Sequence, residues 1–352
     1  MTGGTNRLAR AGAIVRRCYQ PAALGLFALL ALDTLPAGAP EWWIGTGALL
    51  LSALVLRRMP WAFGAAVIVA GIVLRVPYLE PRDADQIIVA QQAGWAAFAG
   101  QNPYVGVYGP FGQGFVYGPL ALGWWLVGGP WVEVVASVAM LVLLAGQRAW
   151  LTLGVMAAWE PVAALPLSGV NDYSPALLIA GAMILLRSHA VWGAALLAVA
   201  AALKPYAAAW FLPAIGYGGW HATLTLVGLS AVLWSPLLAW GPGNLLRNVE
   251  VGRAAHPEPN SLNIPEWRWL GAIPAVAGLL ARQWDVMCLA GCAAFVLVLF
   301  LDRWASTAYW FAAVPIIGLA VEWRLARWLA RGDDADGQPR TTPEVLHVAG
   351  PR

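Results

Sequence analysis

Three side chains in an otherwise hydrophobic chain have the chemistry of an active site: the carboxylates of Asp83 and Asp85 and the amine of Lys204. A carboxylate can take the proton of an incoming hydroxyl group and so act as a general base. A lysine ammonium group is a compact charge that suits a phosphate oxygen. Lys204 is the only lysine among the 21 lysine and arginine residues, and it lies in an apolar segment. An ionisable residue in such a segment indicates a functional site.

The two aspartates open a long polar loop, residues 80–118, in which the spacing of apolar residues predicts a helix over 85–99. This helix is amphipathic and is expected to lie on the bilayer surface. Its apolar face carries Ile88, Trp95 and Phe98. The structural alternative is that Asp83 or Asp85 merely caps the helix. An Asp-x-Asp pair can also bind a divalent cation, but the pattern is common by chance, and we predict no metal.

Further charged residues interrupt apolar runs. Pro205 breaks the helix directly after Lys204, so the ammonium group is expected at a kink. The alternative is that Lys204 extends to the membrane interface. Arg75 and Glu160 lie near the ends of their predicted helices, where they either pair with each other or leave Arg75 free to bind phosphate.

Two other polar segments are candidates for substrate binding. Asn171 and Asp172 form a turn before a predicted helix, and capping by Asp172 is the structural alternative. The loop 241–266 contains His256, which could act as an acid, contact phosphate or be an ordinary loop residue. Side chains with the hydrogen-bonding character of sugar-hydroxyl ligands follow it: Asn260, Ser261 and Asn263.

The composition places these residues in a membrane protein. Of 352 residues, 60% are hydrophobic and 11% are charged, whereas soluble domains contain about 25% charged residues. The apolar runs lack the alternation of a β-barrel, so we predict an all-α, polytopic transmembrane bundle. The net charge of +3 does not suggest a nucleic-acid partner.

Twelve apolar segments are candidate membrane helices, and a short apolar helix is expected over 119–129. Several are shorter than the roughly 20 residues of a full crossing, so about 10 to 12 membrane helices are predicted. The segments are 20–36, 42–56, 61–79, 131–147, 149–166, 173–187, 190–203, 205–219, 221–240, 267–281, 284–301 and 304–325.

The arginines predict the orientation, because loops rich in positive charge stay in the cytoplasm. If the N-terminus starts in the cytoplasm, the arginines that fall on the cytoplasmic side of the membrane are Arg7 to Arg17, Arg57, Arg58, Arg148, Arg187, Arg282, Arg324, Arg327 and Arg331. Both termini are then expected in the cytoplasm, in a protein integral to the cytoplasmic membrane. The loops 80–118 and 241–266, the turn before residue 173 and Lys204 all emerge outside. This convergence predicts one extracytoplasmic active site.

The predicted domain organisation is simple. A cytoplasmic segment, 1–19, precedes one transmembrane domain, 20–325, and a disordered cytoplasmic tail, 326–352. The N-terminus resembles a signal peptide, but another apolar run follows at once, and we predict that the first helix is retained. Buried thiols are expected for the two cysteines in the apolar run 284–301, Cys288 and Cys292.

Three segments carry a resemblance to a known family. They are Asp85 with the later Gly100-Gln-Asn-Pro-Tyr104 and Tyr117-Gly-Pro119, then Leu203-Lys204-Pro205, then Asn260-Ser261-Leu262. Their order and common side resemble the GT-C membrane glycosyltransferases, in particular the polyprenyl-phosphate-mannose-dependent α-mannosyltransferases. The end of the first loop, with its tyrosines, then forms a rim over the site.

The resemblance implies an inverting transfer of a hexose, usually mannose, from a polyprenyl-phosphate donor to a lipid or glycan acceptor. It implies that Asp85 is the base, that Lys204 and Arg75 bind the donor phosphate, and that no cofactor takes part. Donor and acceptor are then the partners, together with membrane lipids. The other site residues are His256 as a catalytic group and Asp83, Tyr104, Tyr117, Asn171, Asp172, Asn260 and Asn263 as substrate ligands. The alternative from another class is a transporter or flippase for a polar or lipid-linked solute.

Overall fold

The computed structural model describes residues 3–35, 40–79, 85–164, 170–255, 261–302 and 307–334. Nearly all regular structure in these ranges is helical, which confirms the predicted all-α class. One small antiparallel hairpin, which the sequence did not indicate, joins strand β1 (Val107–Tyr108) to strand β2 (Gln113–Gly114) inside the long polar loop.

The α-helices are α1 (Gly3–Thr34), α2 (Pro40–Leu56), α3 (Pro60–Arg75), α4 (Asp85–Phe98), α5 (Ala121–Trp124), α6 (Trp131–Gly146), α7 (Trp150–Ala158), α8 (Glu160–Ala164), α9 (Tyr173–Leu186), α10 (Ala190–Leu203), α11 (Phe211–Trp240), α12 (Pro242–Ala255), α13 (Ala272–Gly278), α14 (Trp284–Leu301) and α15 (Trp310–Asp334). Short 3-10 helices cover Val76–Tyr78, Pro205–Trp210, Pro265–Gly271 and Thr307–Tyr309.

Membrane association is indicated by the apolar helices. Within the described ranges, three helical stretches have the length and composition needed to cross a bilayer: Pro60–Tyr78, Pro205–Trp240 and Trp284–Leu301. Five shorter apolar helices accompany them: Cys18–Thr34, Pro40–Leu56, Trp131–Gly146, Tyr173–Leu186 and Ala190–Leu203.

The chain reverses direction within α11. Lys204, just before this stretch, lies over the ring of Tyr117, and Trp240 at its end packs on Tyr104. Tyr104 and Tyr117 are themselves joined by a hydrogen bond, so both ends of the stretch reach the same loop. The reversal occurs at Gly219, whose φ of 63° and ψ of −149° are accessible to glycine. This is the position at which the sequence predicts a break between 205–219 and 221–240.

The antiparallel hairpin of α9 and α10 lies in the main core and defines the two ends of the bundle. Asp172 and Lys204 flank this hairpin at the loop end, which also carries residues 85–130. Arg187 lies at the other end of α9, which we call the arginine end. With 14 residues in α9 and a rise of 1.5 Å per residue, the two ends are about 21 Å apart.

The surface helix is present as α4. Its buried face packs on residues 120–126, and Gly94 approaches them so closely that a Cβ atom would lie 2.2 Å from the carbonyl oxygen of Leu122. Away from this contact, Trp95 and Phe98 are exposed and contact each other edge to face. An exposed aromatic face is what a helix resting on a bilayer requires.

Two helices are longer than the apolar segments that predicted them. Helix α1 begins at Gly3 rather than near residue 20, and α15 continues to Asp334 rather than ending near residue 325. The extra residues are rich in arginine and alanine, which favour a helix whether or not lipid surrounds them. An apolar run therefore marks the membrane portion of a helix and not the whole helix.

Candidate active site at the loop end

At the loop end, a buried ion pair joins the start of α9 to the end of α10. Lys204 leaves the helical conformation at the end of α10, because Pro205 begins the next turn, and its Nζ lies 2.5 Å from Oδ1 of Asp172. Both side chains are at most 5% exposed. Tyr206 also donates a hydrogen bond of 3.2 Å to the same carboxylate oxygen. A pair so buried requires these additional hydrogen bonds to offset its loss of hydration.

Asp172 is available for Lys204 because another residue caps α9. Asp172 occupies the N-cap position but makes no side-chain capping bond, so the structural alternative of a capping role does not apply. Glu133, buried in the first turn of α6, accepts hydrogen bonds from the backbone N–H groups of Tyr173 at 2.6 Å and Ser174 at 2.9 Å. It also accepts from the indole of Trp125 at 2.7 Å. The cap therefore comes from a neighbouring helix, and the residue at the N-cap is left for other contacts.

Three tyrosines surround the lysine. The centroids of their rings lie 5.2, 5.7 and 5.9 Å from Nζ and belong to Tyr117, Tyr206 and Tyr309. Aromatic faces at this distance attract a cation. An ammonium group has three N–H donors, and Asp172 accepts the one side-chain hydrogen bond that Lys204 makes among the described residues. The other two donors have no side-chain acceptor in the part of the chain that the structure describes.

Tyr117 is held over the lysine by the Tyr-Gly-Pro segment. Gly118 donates its N–H to the carbonyl of Leu203 at 3.1 Å, and Leu120 donates to Ala202 at the same distance. A Cβ atom on Gly118 would lie 2.1 Å from the carbonyl oxygen of Ala202. Only glycine permits this close approach, so the segment fixes Tyr117 at the end of α10.

Tyr104, predicted as a substrate ligand, organises the same loop. It is buried, and its hydroxyl donates to the carbonyl of Tyr117 at 3.0 Å. Asn248 on α12 donates to the carbonyls of Tyr104 and Phe115, at 2.9 and 3.1 Å. Burial raises the pKa of the Tyr104 hydroxyl above its ordinary value. The hydroxyl is thus neutral and engaged within the protein.

Asp85 is the first residue of α4 and is half-buried. Its Oδ1 accepts the N–H of Gln86 at 2.8 Å, a contact at the helix start that resembles the predicted capping role. Its Oδ2 accepts from Nε2 of Gln113, on strand β2, also at 2.8 Å. Each carboxylate oxygen keeps a lone pair, because a carboxylate has about four acceptor positions.

Tyr117 connects Asp85 to the ion pair. Burial raises the pKa of its hydroxyl, and the negative charges of Asp172 and Asp85 raise it further. The geometry of the loop makes the same connection, because Gln113, the partner of Asp85, lies four residues before Tyr117, whose ring centroid is 5.2 Å from Nζ of Lys204. One short loop segment therefore reaches both a half-buried carboxylate and a buried ammonium group.

Asn171 adds polar groups without partners. It is fully buried, and neither its amide nitrogen nor its amide oxygen forms a hydrogen bond with the described residues. The amide lies near the Tyr117 hydroxyl and lowers its pKa against the effect of burial, but the pair does not reach hydrogen-bonding geometry. Buried amides are normally satisfied, so Asn171 is a candidate ligand contact.

Arg75 makes its hydrogen bonds to backbone carbonyl groups of α3 and α7 and not to the residues around Lys204. Its guanidinium donates to the carbonyls of Gly71, Ala157 and Met156 at 2.8 to 3.0 Å, which closes the end of α7. The pairing with Glu160 considered above does not form between these two described side chains. Asn263 is exposed, with a φ of 55°, beside the last residues of α14.

Some predicted residues lie outside the described ranges, namely Asp83, His256 and Asn260. Within those ranges, no group of three or more histidine, cysteine, aspartate or glutamate side chains could hold a metal ion. Cys288 and Cys292 are buried free thiols, as predicted.

Four residues of the site were not singled out from the sequence: Glu133, Gln113, Tyr206 and Tyr309. A glutamate in the first turn of a helix is common, and its partners in α9 are 40 and 41 positions away. Tyr206 stands two residues after Lys204, so its proximity was the one sequence indication available. Comparisons with protein-family models, curated proteins and solved structures found no match to this chain.

Proposed function

We propose that this protein is a membrane glycosyltransferase. It transfers a hexose, mannose if the family resemblance holds, from a polyprenyl-phosphate donor to a hydroxyl of a lipid or glycan acceptor. The observation that carries the proposal is that the loop 113–117 contacts a half-buried carboxylate, Asp85, through Gln113 and a buried pair, Asp172–Lys204, through Tyr117. These are the two kinds of group that such a transfer needs.

The reaction is one displacement at the anomeric carbon. The acceptor oxygen forms a bond to this carbon while the bond from the carbon to the phosphate oxygen breaks. Asp85 takes the proton of the acceptor hydroxyl. The electron pair of the broken bond leaves with polyprenyl phosphate, and attack from the opposite side inverts the configuration.

Lys204 stabilises the leaving phosphate. Negative charge develops on the phosphate oxygen in the transition state, and a fixed ammonium donor in a dry site lowers its energy. Asp172 balances the lysine charge before the donor binds, which keeps the buried site neutral. The two remaining N–H donors of Lys204 are the groups that would meet the phosphate.

A lipid-linked donor also requires access from the bilayer. Large apolar side chains are exposed around the loop end, on α4 and on the segment after it: Trp95, Phe98, Val105, Val107 and Phe111. These residues are expected to rest at the membrane surface. The arginine distribution puts that surface on the extracytoplasmic side.

The test is transfer in proteoliposomes that contain the purified protein, polyprenyl-phosphate mannose or another hexose, and extracted envelope lipids. We expect a glycosylated lipid and free polyprenyl phosphate in equal amounts. Movement of the donor across the bilayer without any transfer would contradict the proposal and favour the flippase alternative.

Lys204→Ala should weaken donor binding roughly tenfold to hundredfold, the range for losing a charge-assisted hydrogen bond. The matched control is Arg268→Ala, since Arg268 is a half-exposed basic residue near the start of α13. Because Lys204→Ala leaves Asp172 buried and unpaired, the double variant Asp172→Leu with Lys204→Met provides a second test. Normal donor affinity in both variants would remove Lys204 from this role.

A further inference from the structure

A second charged cluster lies at the arginine end, around Arg187. Asp285, fully buried at the start of α14, forms salt bridges with Arg327 at 3.0 Å and with Arg324 at 3.2 Å. The guanidinium groups of Arg187 and Arg327 both lie over the ring of Trp323, at 3.7 and 5.8 Å from its centroid, which brings a third positive charge to the cluster. The cluster therefore carries an excess of two positive charges.

Arg187 is the member without a polar partner. It is 8% exposed, and its guanidinium stacks on Trp323 at 3.7 Å and lies 5.1 Å from the ring centre of Trp284. It makes no side-chain hydrogen bond with the described residues, and its Nη2 is buried. The Nε of Arg327 is also buried without a partner. Buried donors are rarely left unsatisfied, so a missing acceptor is indicated.

Exposed indole rings accompany the cluster. They lie near the start of α10, at the break within α11 and near the end of α15: Trp192, Trp220 and Trp328. Tryptophan concentrates at the boundary between hydrocarbon and headgroups. Arg324, 62% exposed, opens the cluster to this boundary.

We propose that Arg187, Arg324 and Arg327 bind the phosphate of an anionic phospholipid headgroup. The planar guanidinium groups match phosphate oxygens in pairs, and a basic pocket between membrane helices is suited to a charged headgroup. Asp285 holds two of the arginines in place, while the tryptophans orient the third. This site is independent of the transferase reaction at the loop end.

The experiment measures lipid binding to the full-length protein by native mass spectrometry, with thermal stabilisation as a second readout. Phosphatidylglycerol should bind and raise the melting temperature, and phosphatidylcholine, whose choline neutralises the phosphate, should not. Arg187→Gln should weaken phosphatidylglycerol binding roughly tenfold or more. Arg57→Gln, an exposed arginine in the turn after α2, is the matched control and should bind normally.

Inorganic phosphate distinguishes the source of the anion. If millimolar phosphate displaces the lipid and alone gives the full stabilisation, the site takes a soluble phosphate compound, and the lipid assignment is overturned. If Arg187→Gln does not fold, Arg324→Gln tests the same site from its exposed side. Equal binding of the two lipids, or equal losses in the Arg187 or Arg324 variant and the Arg57 control, would contradict the proposal.

Discussion

The two ends of the α9–α10 hairpin carry opposite solutions to the burial of charge. At the loop end, Asp172 and Lys204 are both buried and form a neutral pair enclosed by tyrosines. At the arginine end, Asp285 is buried, but its partners Arg324 and Arg327 are 62% and 36% exposed. The first arrangement is dry and balanced, while the second is open and positive.

This difference in burial and charge is the reason for proposing different roles for the two ends. Electrostatic interactions are stronger where water is excluded. A buried pair of this kind therefore favours a reaction that develops charge. The arginine end combines buried guanidinium donors with the exposed side chain of Arg324, and it is suited to an anion at the surface. We therefore place the reaction at the loop end and the lipid contact at the arginine end.

The largest expected effect comes from breaking the buried pair. Asp172→Asn leaves Lys204 charged and unpaired, and should lower the free energy of unfolding by about 3–5 kcal/mol. Asp285→Asn should cost less than this, because Arg324, 62% exposed, keeps its hydration when the carboxylate is lost. Thermal unfolding in the same detergent would compare the two variants.

The double variant Asp172→Leu with Lys204→Met is the control, because it removes both charges at once. It should recover most of the stability while remaining without transferase activity. Equal losses of unfolding free energy in Asp172→Asn and Asp285→Asn would mean that the charged groups at the two ends do not differ in their exposure to water.

The next effect tests the cap that frees Asp172. Glu133→Gln replaces charge-assisted hydrogen bonds to α9 with weaker ones and should cost about 1–3 kcal/mol. Glu41→Gln, in the exposed first turn of α2, should change the stability by a few tenths of a kcal/mol. If the two variants were equally stable, Glu133 would not be the cap on which the loop end depends.

Much of the fold could be predicted because it follows from local patterns. The helical class, the break at Gly219 and the surface helix starting at Asp85 all follow from hydrophobic spacing and from glycine and proline positions. Lys204 was conspicuous because it is a single lysine in an apolar run.

The contacts that complete the site could not be predicted in the same way. Glu133 and Asp285 each stand in the first turn of a helix, where an acidic residue is ordinary, and their partners are distant in sequence. Asp172 occupies a normal capping position, so its release for Lys204 depends on a contact from α6. Gln113 lies on strand β2 and contacts Asp85. Each strand of this β-hairpin has only two residues, which is too short to give an alternating hydrophobic pattern in the sequence.

The most direct measurement of the central claim is the transferase rate of Asp85→Asn beside that of Asp285→Asn. Both exchange a carboxylate for an amide, one at the proposed catalytic end and one at the arginine end. We expect Asp85→Asn to lower the rate by about a hundredfold or more, the scale of a lost general base, with donor binding retained. Asp285→Asn should keep most of the rate. Undiminished transfer by Asp85→Asn would contradict the account.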